Sequence, residues 1–262
     1  MPISSFYIMA SHHVYNLKIS HVEPHKLVYK SLPRRPLPPS VDLRTTGKLS
    51  PVYDQKSLGS CTAQALLAAV EYADPTPFDG SQLFLYHNER MMEGTVAEDA
   101  GAEISDGIKS LCKHGVCAES LWPYDITKFT EKPSEACYTA ALEHQALQVK
   151  NIPQTAYDMK NCLAQGIPFV VGIVVFAGLE SAATAKTGMV PMPRNRRNPL
   201  GGHAVLCVGY DDHKKKWIMR NSWGSDWGQA GHFFLPYRYL EDPDLASDLW
   251  CIEKMEVVPM EL

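Results

Sequence analysis

The chain has 262 residues, 45% hydrophobic and 21% charged, an ordinary globular composition that excludes a disordered chain and suits one large domain or two lobes sharing a cleft. Lys plus Arg total 25 against 29 Asp plus Glu, a formal net charge of -4, so no basic field gathers nucleic acid or an anionic membrane. The longest apolar run, residues 167–179, is broken by Pro168, Gly172 and Gly178 and falls short of the roughly 20 residues a membrane helix needs.

The opening residues carry neither a basic stretch nor a clear apolar core. No conventional signal peptide is read there, and cytoplasmic residence or export by a signal-independent route is expected. Residues 1–38 read as a separate amino-terminal arm. Val14 to Ile19 alternate loosely, as extended chain or an edge strand does. Pro33, Pro36, Pro38 and Pro39 then form a stiff, non-helical connector. It separates the arm from a main domain over 39–262.

Residues 60–73, rich in Ala and Leu and free of Gly and Pro, predict a buried helix with Ser60 as N-cap and Cys61 in its first turn. A second helix is predicted over 102–113, with Ile104, Ile108, Leu111 and Cys112 on one face and Gly115 as its stop. A third runs over 156–165, with Thr155 and Asp158 as a capping pair. Strands are predicted over 169–176, 203–210, 216–220 and 231–235, with 211–215 as a hairpin loop. Helices early and antiparallel strands late give an α+β fold.

Seven cysteines leave at least one free thiol if the others pair. A chain of this length builds its core without disulfides and carries no Asn-X-Ser/Thr sequon, so a reducing compartment is expected. Cys112 and Cys117 flank His114 at a spacing that matches no standard zinc pattern, and they read as structural or incidental thiols. Neither a metal nor another cofactor is implied. Arg194, Arg196 and Arg197 read as a solvated loop, with attraction for acidic substrate groups as the alternative.

Four features carry chemistry together. Gln55 lies six residues before Cys61, His203 opens an apolar strand, Asn221 begins Asn-Ser-Trp-Gly, and Trp223 and Trp227 sit in a Gly-containing turn. A thiol is a poor nucleophile until it loses its proton. Lowering its pKa from about 8.5 to about 4 takes roughly 6 kcal/mol. A helix N-terminus supplies only about 0.3–1 kcal/mol, rising to about 2 when partly buried. An imidazolium must therefore provide most of it, the role read for His203. The Asn221 amide oxygen can accept the other ring N–H and fix the tautomer without adding charge. The Gln55 amide and the Cys61 backbone N–H can donate to an oxyanion, each worth roughly 2.7–4 kcal/mol. Taken singly, each residue is more often an inert thiol, a core histidine, a loop amide or a turn signal. The four in this order point to one catalytic site.

Gln55 with Cys61, His203-Ala204-Val205, Asn221-Ser222-Trp223-Gly224 and Trp227-Gly228 resemble the papain-like cysteine protease family, and its bacterial and viral branch more than the animal lysosomal one. Val41-Asp42-Leu43-Arg44 resembles the start of that family's mature domain, and the similarity covers about residues 41–257. The interval from Cys61 to His203 is 142 residues, within the roughly 130–150 of that family. The resemblance implies two lobes, a helical one presenting Cys61 and a β-rich one presenting His203 and Asn221. A polypeptide substrate would lie between them, bound by Gly59, Gly101, Ala204 and Trp223, with Trp223 shielding the Asn221–His203 bond. It also implies that the arm acts as a propeptide, lying across the cleft and suppressing activity; an arm packed elsewhere is the alternative. The chain departs from the pattern at Leu58, where a disulfide cysteine is usual, at Thr62, where an aromatic residue is usual, in the wall Asp99-Ala100-Gly101-Ala102, and at Gly202 before the histidine. None of these removes a reacting group. A thiol peptidase is the reading; a silent protease-like binding protein and an acyl transferase or deconjugating enzyme are the alternatives.

Overall fold

In the computed structural model, which describes residues 13–20, 27–31 and 36–255, helices gather in the first half and antiparallel strands in the second. In chain order the elements are β1 (Ser40–Asp42), α1 (Cys61–Ala73), α2 (Gln82–Glu93), α3 (Ile104–Lys113), α4 (Glu135–Ala141), β2 (Ala146–Asn151), α5 (Ala156–Ala164) and β3 (Phe169–Val175). They continue with α6 (Ala182–Thr187), β4 (Gly201–Asp211), β5 (Lys216–Arg220), β6 (His232–Pro236), α7 (Tyr237–Glu241) and β7 (Ala246–Met255). The sheet runs β2-β7-β3-β4-β5-β6, with β1 added on β4, and every pairing is antiparallel.

The helix α1 is buried along almost its whole length because it lies between the two lobes, against α2 and α3 on one side and β4 and β7 on the other. An all-round apolar helix has no solvent face to lose. Each fully buried leucine in it, such as Leu66 and Leu67, contributes about 1.5–3 kcal/mol. The same burial fixes Cys61, its first residue, at the line where the lobes meet. Across that line β4 pairs with β3, setting Gly202 opposite Val174 and His203 opposite Ile173.

Several elements escape the sequence patterning. Helix α2 shows no apolar stripe because His87, Asn88, Glu89 and Arg90 are buried with it. Their polar groups are met inside: Asn88 donates to the Phe84 carbonyl, and Arg90 donates to the carbonyls of Val96, Glu98 and Phe129. Strand β7 carries a register shift against β3, which blurs its alternation. The helix predicted from 102 begins at Ile104, since Glu103 is still extended. Ser60 stands at the N-cap of α1, but its hydroxyl bonds the Tyr124 hydroxyl and the Gln64 amide, leaving the first-turn N–H groups uncapped by it.

Arm residues 13–20 are extended, with isolated parallel bridges from Asn16 to Gly202 and from Lys18 to Glu103. Farther on, Tyr29 N–H donates to Asn151, and Asn151 N–H donates to Leu27. The Tyr29 hydroxyl is buried against Asn161 at 2.8 Å. The end of the connector lies along β4, where the carbonyls of Pro38 and Pro39 accept from Tyr210 and Asp212. Of the proline cluster, Pro33 lies outside the described residues.

Candidate active site

The Cys61 sulfur is ringed by backbone N–H groups. Those of Thr62 and of Cys61 itself come from the uncapped start of α1, and that of Ala204 comes across from β4. Ala204 follows His203, so the thiol of one lobe meets the imidazole-bearing strand of the other. His203 Nε2 lies 2.8 Å from Asn221 Oδ1, and that oxygen also accepts the Ser222 N–H at 2.9 Å. A carboxamide oxygen can only accept, so the ring proton sits on Nε2. His203 Nδ1 then carries a lone pair, buried and without a hydrogen-bond partner.

Trp223 lies almost parallel to His203, with ring centroids 5.1 Å apart at 24°, and Trp227 meets Trp223 edge-on at 4.8 Å. The indole thus covers the imidazole and keeps water from its bond to Asn221. Gln55 is fully buried and held at both ends of its amide. Its Oε1 accepts from the Ser222 hydroxyl at 2.6 Å, and its Nε2 donates to the Leu58 carbonyl at 3.0 Å. One Nε2 hydrogen remains for another acceptor.

Arm residues 13–20 line the same cleft. His13 stacks on Trp223, with centroids 3.8 Å apart and planes 5° from parallel. The Tyr15 ring meets His203 edge-on at 5.9 Å, while its hydroxyl bonds Glu180. Asn16 reaches the Asp99 carbonyl at 2.9 Å. Leu17 N–H donates to Gly202 and Lys18 N–H to Ala102, each at 3.1 Å. Ser20 supplies its hydroxyl to Ser105 N–H, capping α3 where Glu103 makes no side-chain cap.

Burial governs the charges. It pushes the Cys61 thiol up to about 12 against the pull of the surrounding N–H groups, and pushes His203 down to about 4 against its bond to Asn221. Thiol and ring are therefore both neutral in the covered cleft. Behind the nucleophile, the Thr62 hydroxyl donates to Glu89 at 2.6 Å. Glu89 is fully buried, its Oε1 has no partner, and desolvation raises its carboxyl well above the usual range.

The predicted site residues divide by location. Cys61, His203, Asn221, Gln55 and Trp223 converge on the junction of the lobes. Gly59 and Gly101 stand beside them and face Asn16. In the wall beside Gly101 the carbonyl that accepts from the arm belongs to Ala102, and Ala204 faces the sulfur with its backbone. Arg196 pairs with Asp242 at 2.7 Å, which leaves it poorly placed to attract acidic groups. Sequence reasoning missed the parts played by Ser222, Glu180 and Glu93, and read Asp99 only as part of the cleft wall. Only Ser222 carried a signal, its position directly after Asn221. All seven cysteines are free thiols, and among the described residues no group of three or more His, Cys, Asp or Glu could hold a metal ion. No helix among them is long and apolar enough to cross a membrane.

The model for the papain family of cysteine proteases matches residues 37–247. Xylellain, a cysteine protease from Xylella fastidiosa, is 36% identical, with a TM-score of 0.83 over 93% of this chain and 96% of that chain. An uncharacterized peptidase C1-like protein of Acanthamoeba polyphaga mimivirus is 42% identical over 215 residues, 77% of this chain and 69% of that protein. Cysteine proteinase 2 of Entamoeba histolytica is 29% identical over 203 residues, and the match spans 62% of its length. Digestive procathepsin L 3 of Tenebrio molitor larval midgut shares the fold, with a TM-score of 0.69 at 21% identity.

Proposed function

This chain belongs to the papain family of cysteine proteases, and from that premise we propose that it hydrolyses peptide bonds with Cys61 as nucleophile, His203 as base and acid, and residues 13–20 as an internal block of the cleft. The observation that carries this reading is the orphan lone pair on His203 Nδ1, on a strand whose next residue, Ala204, turns its backbone N–H towards the Cys61 sulfur.

With Nε2–H committed to Asn221, Nδ1 is the atom that takes the thiol proton. The thiolate adds to the scissile carbonyl, and the oxyanion receives the Cys61 N–H and the remaining Gln55 Nε2–H. The C–N bond breaks as the imidazolium gives its proton to the leaving amine. Water then loses a proton to Nδ1 and adds to the thioester. The C–S bond breaks, the acid departs, and thiol and ring return to their starting state.

Covering by the arm strips water from both groups, and desolvation disfavours the charged pair. Displacement of the arm readmits solvent and lets the proton pass from sulfur to ring. An arm threaded between Gly202 and Ala102 occupies the track an extended peptide would need, which supports the blocking role over packing elsewhere. The test is hydrolysis of a fluorogenic peptide library by the full chain, by a chain beginning at Pro39 and by C61S. Turnover that rises on removal of the arm and vanishes in C61S is expected. Absence of turnover in all three would leave a protease-like binding protein.

A further inference from the structure

Two neighbouring arm residues sit in two unlike places. The Leu17 side chain reaches the sheet, where its Cδ2 lies 2.8 Å from the point a Cβ on Gly172 would occupy, and Ile104 lies 3.6 Å from that point. Successive side chains of an extended chain point to opposite sides. Lys18 accordingly turns the other way, and its ammonium pairs with Glu93.

We propose that this end of the cleft is an acidic subsite, built by Glu93 and flanked by Asp248, that selects substrates carrying lysine or arginine beside an apolar residue. The inference rests on the peptidase reading. Along the arm His13 stacks on Trp223 and Lys18 pairs with Glu93, so this subsite is at the end of the cleft away from Trp223, and the proposal assigns it to the acyl side of the scissile bond.

The carboxylate is held ready. Glu93 is the last residue of α2, its side chain is only 10% exposed, and its Oε1 accepts the Glu103 N–H at 2.8 Å while Oε2 faces Lys18. A carboxylate in the last turn opposes the helix dipole, so stability of α2 does not account for it. A neutral occupant would leave that oxygen desolvated and unpaired, and an acidic one would add like-charge repulsion. Two residues farther along the arm, Ser20 N–H donates to Asp248 Oδ2 at 3.1 Å. Asp248 is 8% exposed, and its Oδ1 has no hydrogen-bond partner. Its φ of 56° falls at the register shift of β7 against β3, where a local bend turns successive side chains aside.

The test compares coumarin amides of the form acetyl-X-Leu-mixture, where X is Lys, Arg, norleucine or Glu and the residue beside the coumarin is an equimolar mixture. For the full chain under reducing conditions, kcat/KM with X as Lys or Arg is expected to exceed that for norleucine about tenfold, a ratio typical of one charge-assisted contact. The ratio should fall towards one in E93Q and be retained in E93D. Equal rates for Lys and norleucine in the unaltered chain, or an undiminished ratio in E93Q, would overturn the proposal. Where the full chain is silent the same rates are read on a chain beginning at Pro39, and cleavage by neither means that the peptidase reading fails instead. The subsite is then decided by fluorescence polarisation of fluorescein-labelled Lys-Leu and norleucine-Leu peptides on full-length C61S. The arm taxes both peptides equally, so their affinity ratio is unaffected by it. A severalfold advantage for lysine supports the subsite, and equal binding refutes it.

Discussion

The Asn16 carbonyl oxygen occupies the space where a side chain on Gly101 would begin, 1.9 Å from the ideal Cβ position. Gly101 also sits at a φ of 66°, in the left-handed region that favours glycine. One position therefore serves two demands, a turn in the cleft wall and close passage of the arm.

Gly101→Ala meets both demands badly. Strain of about 1 kcal/mol is expected, which lowers Tm by roughly 2–4 °C in a domain of this size. The arm must also lift, so iodoacetamide should alkylate Cys61 severalfold faster in the full chain. Differential scanning fluorimetry and intact mass measure the two effects. An unchanged alkylation rate would show that the arm does not limit access to the thiol.

Asn221→Ala removes the acceptor that fixes the His203 tautomer. Loss of an oriented acid–base group typically costs 10²–10⁴ in rate, and partial loss of orientation should lower kcat by roughly a hundredfold. Far-ultraviolet circular dichroism should be unchanged. A variant with native turnover would remove Asn221 from the reaction.

Glu89→Gln separates charge from shape. Burial raises the Glu89 carboxyl well above its ordinary value, so the native state holds a proton that the unfolded chain releases. Its contribution to stability is therefore full below about 4.5 and is lost as pH rises towards the native pKa. The glutamine variant has no such loss. Relative to it, the unaltered chain should lose Tm between pH 5 and pH 8, as thermal melts at each pH would show. Parallel curves would mean that Glu89 does not titrate in this range.

Three histidines oppose that trend in acid. Burial holds His87, His203 and His232 down at about 4, so the unfolded state binds more protons below the ordinary histidine value. Stability is full above about 6.5 and is lost as pH falls towards 4. Urea unfolding at pH 7 and pH 5 should give a lower midpoint at pH 5, smaller in H87Q than in the unaltered chain. An equal change of midpoint in H87Q and in the unaltered chain would contradict a buried neutral His87 ring.

The site was more legible in the sequence than much of the fold. Cys61, His203 and Asn221 are recognised by residue type and order, which survive changes in packing. Helix α1 and strand β5 were readable because one is uniformly apolar and the other is bounded by turn residues. Helix α2 was not, because its polar residues are satisfied by groups distant in sequence, such as Thr62 and Phe129. Propensity alone points the Ser60 hydroxyl to a cap, whereas Tyr124, 64 residues away, claims it. Likewise, nothing local marks Glu93 or Asp248, since only the path of the arm gives them a common purpose.

The most direct test is the pH profile of Cys61 alkylation by iodoacetamide in a chain beginning at Pro39, read by peptide mapping beside H203A. The account predicts brisk modification already at pH 5, about 3.5 pH units below the ordinary thiol pKa of about 8.5, and a collapse of that acid reactivity in H203A. A single rise near pH 8.5, identical in both proteins, would mean that the sulfur never shares its proton with the ring.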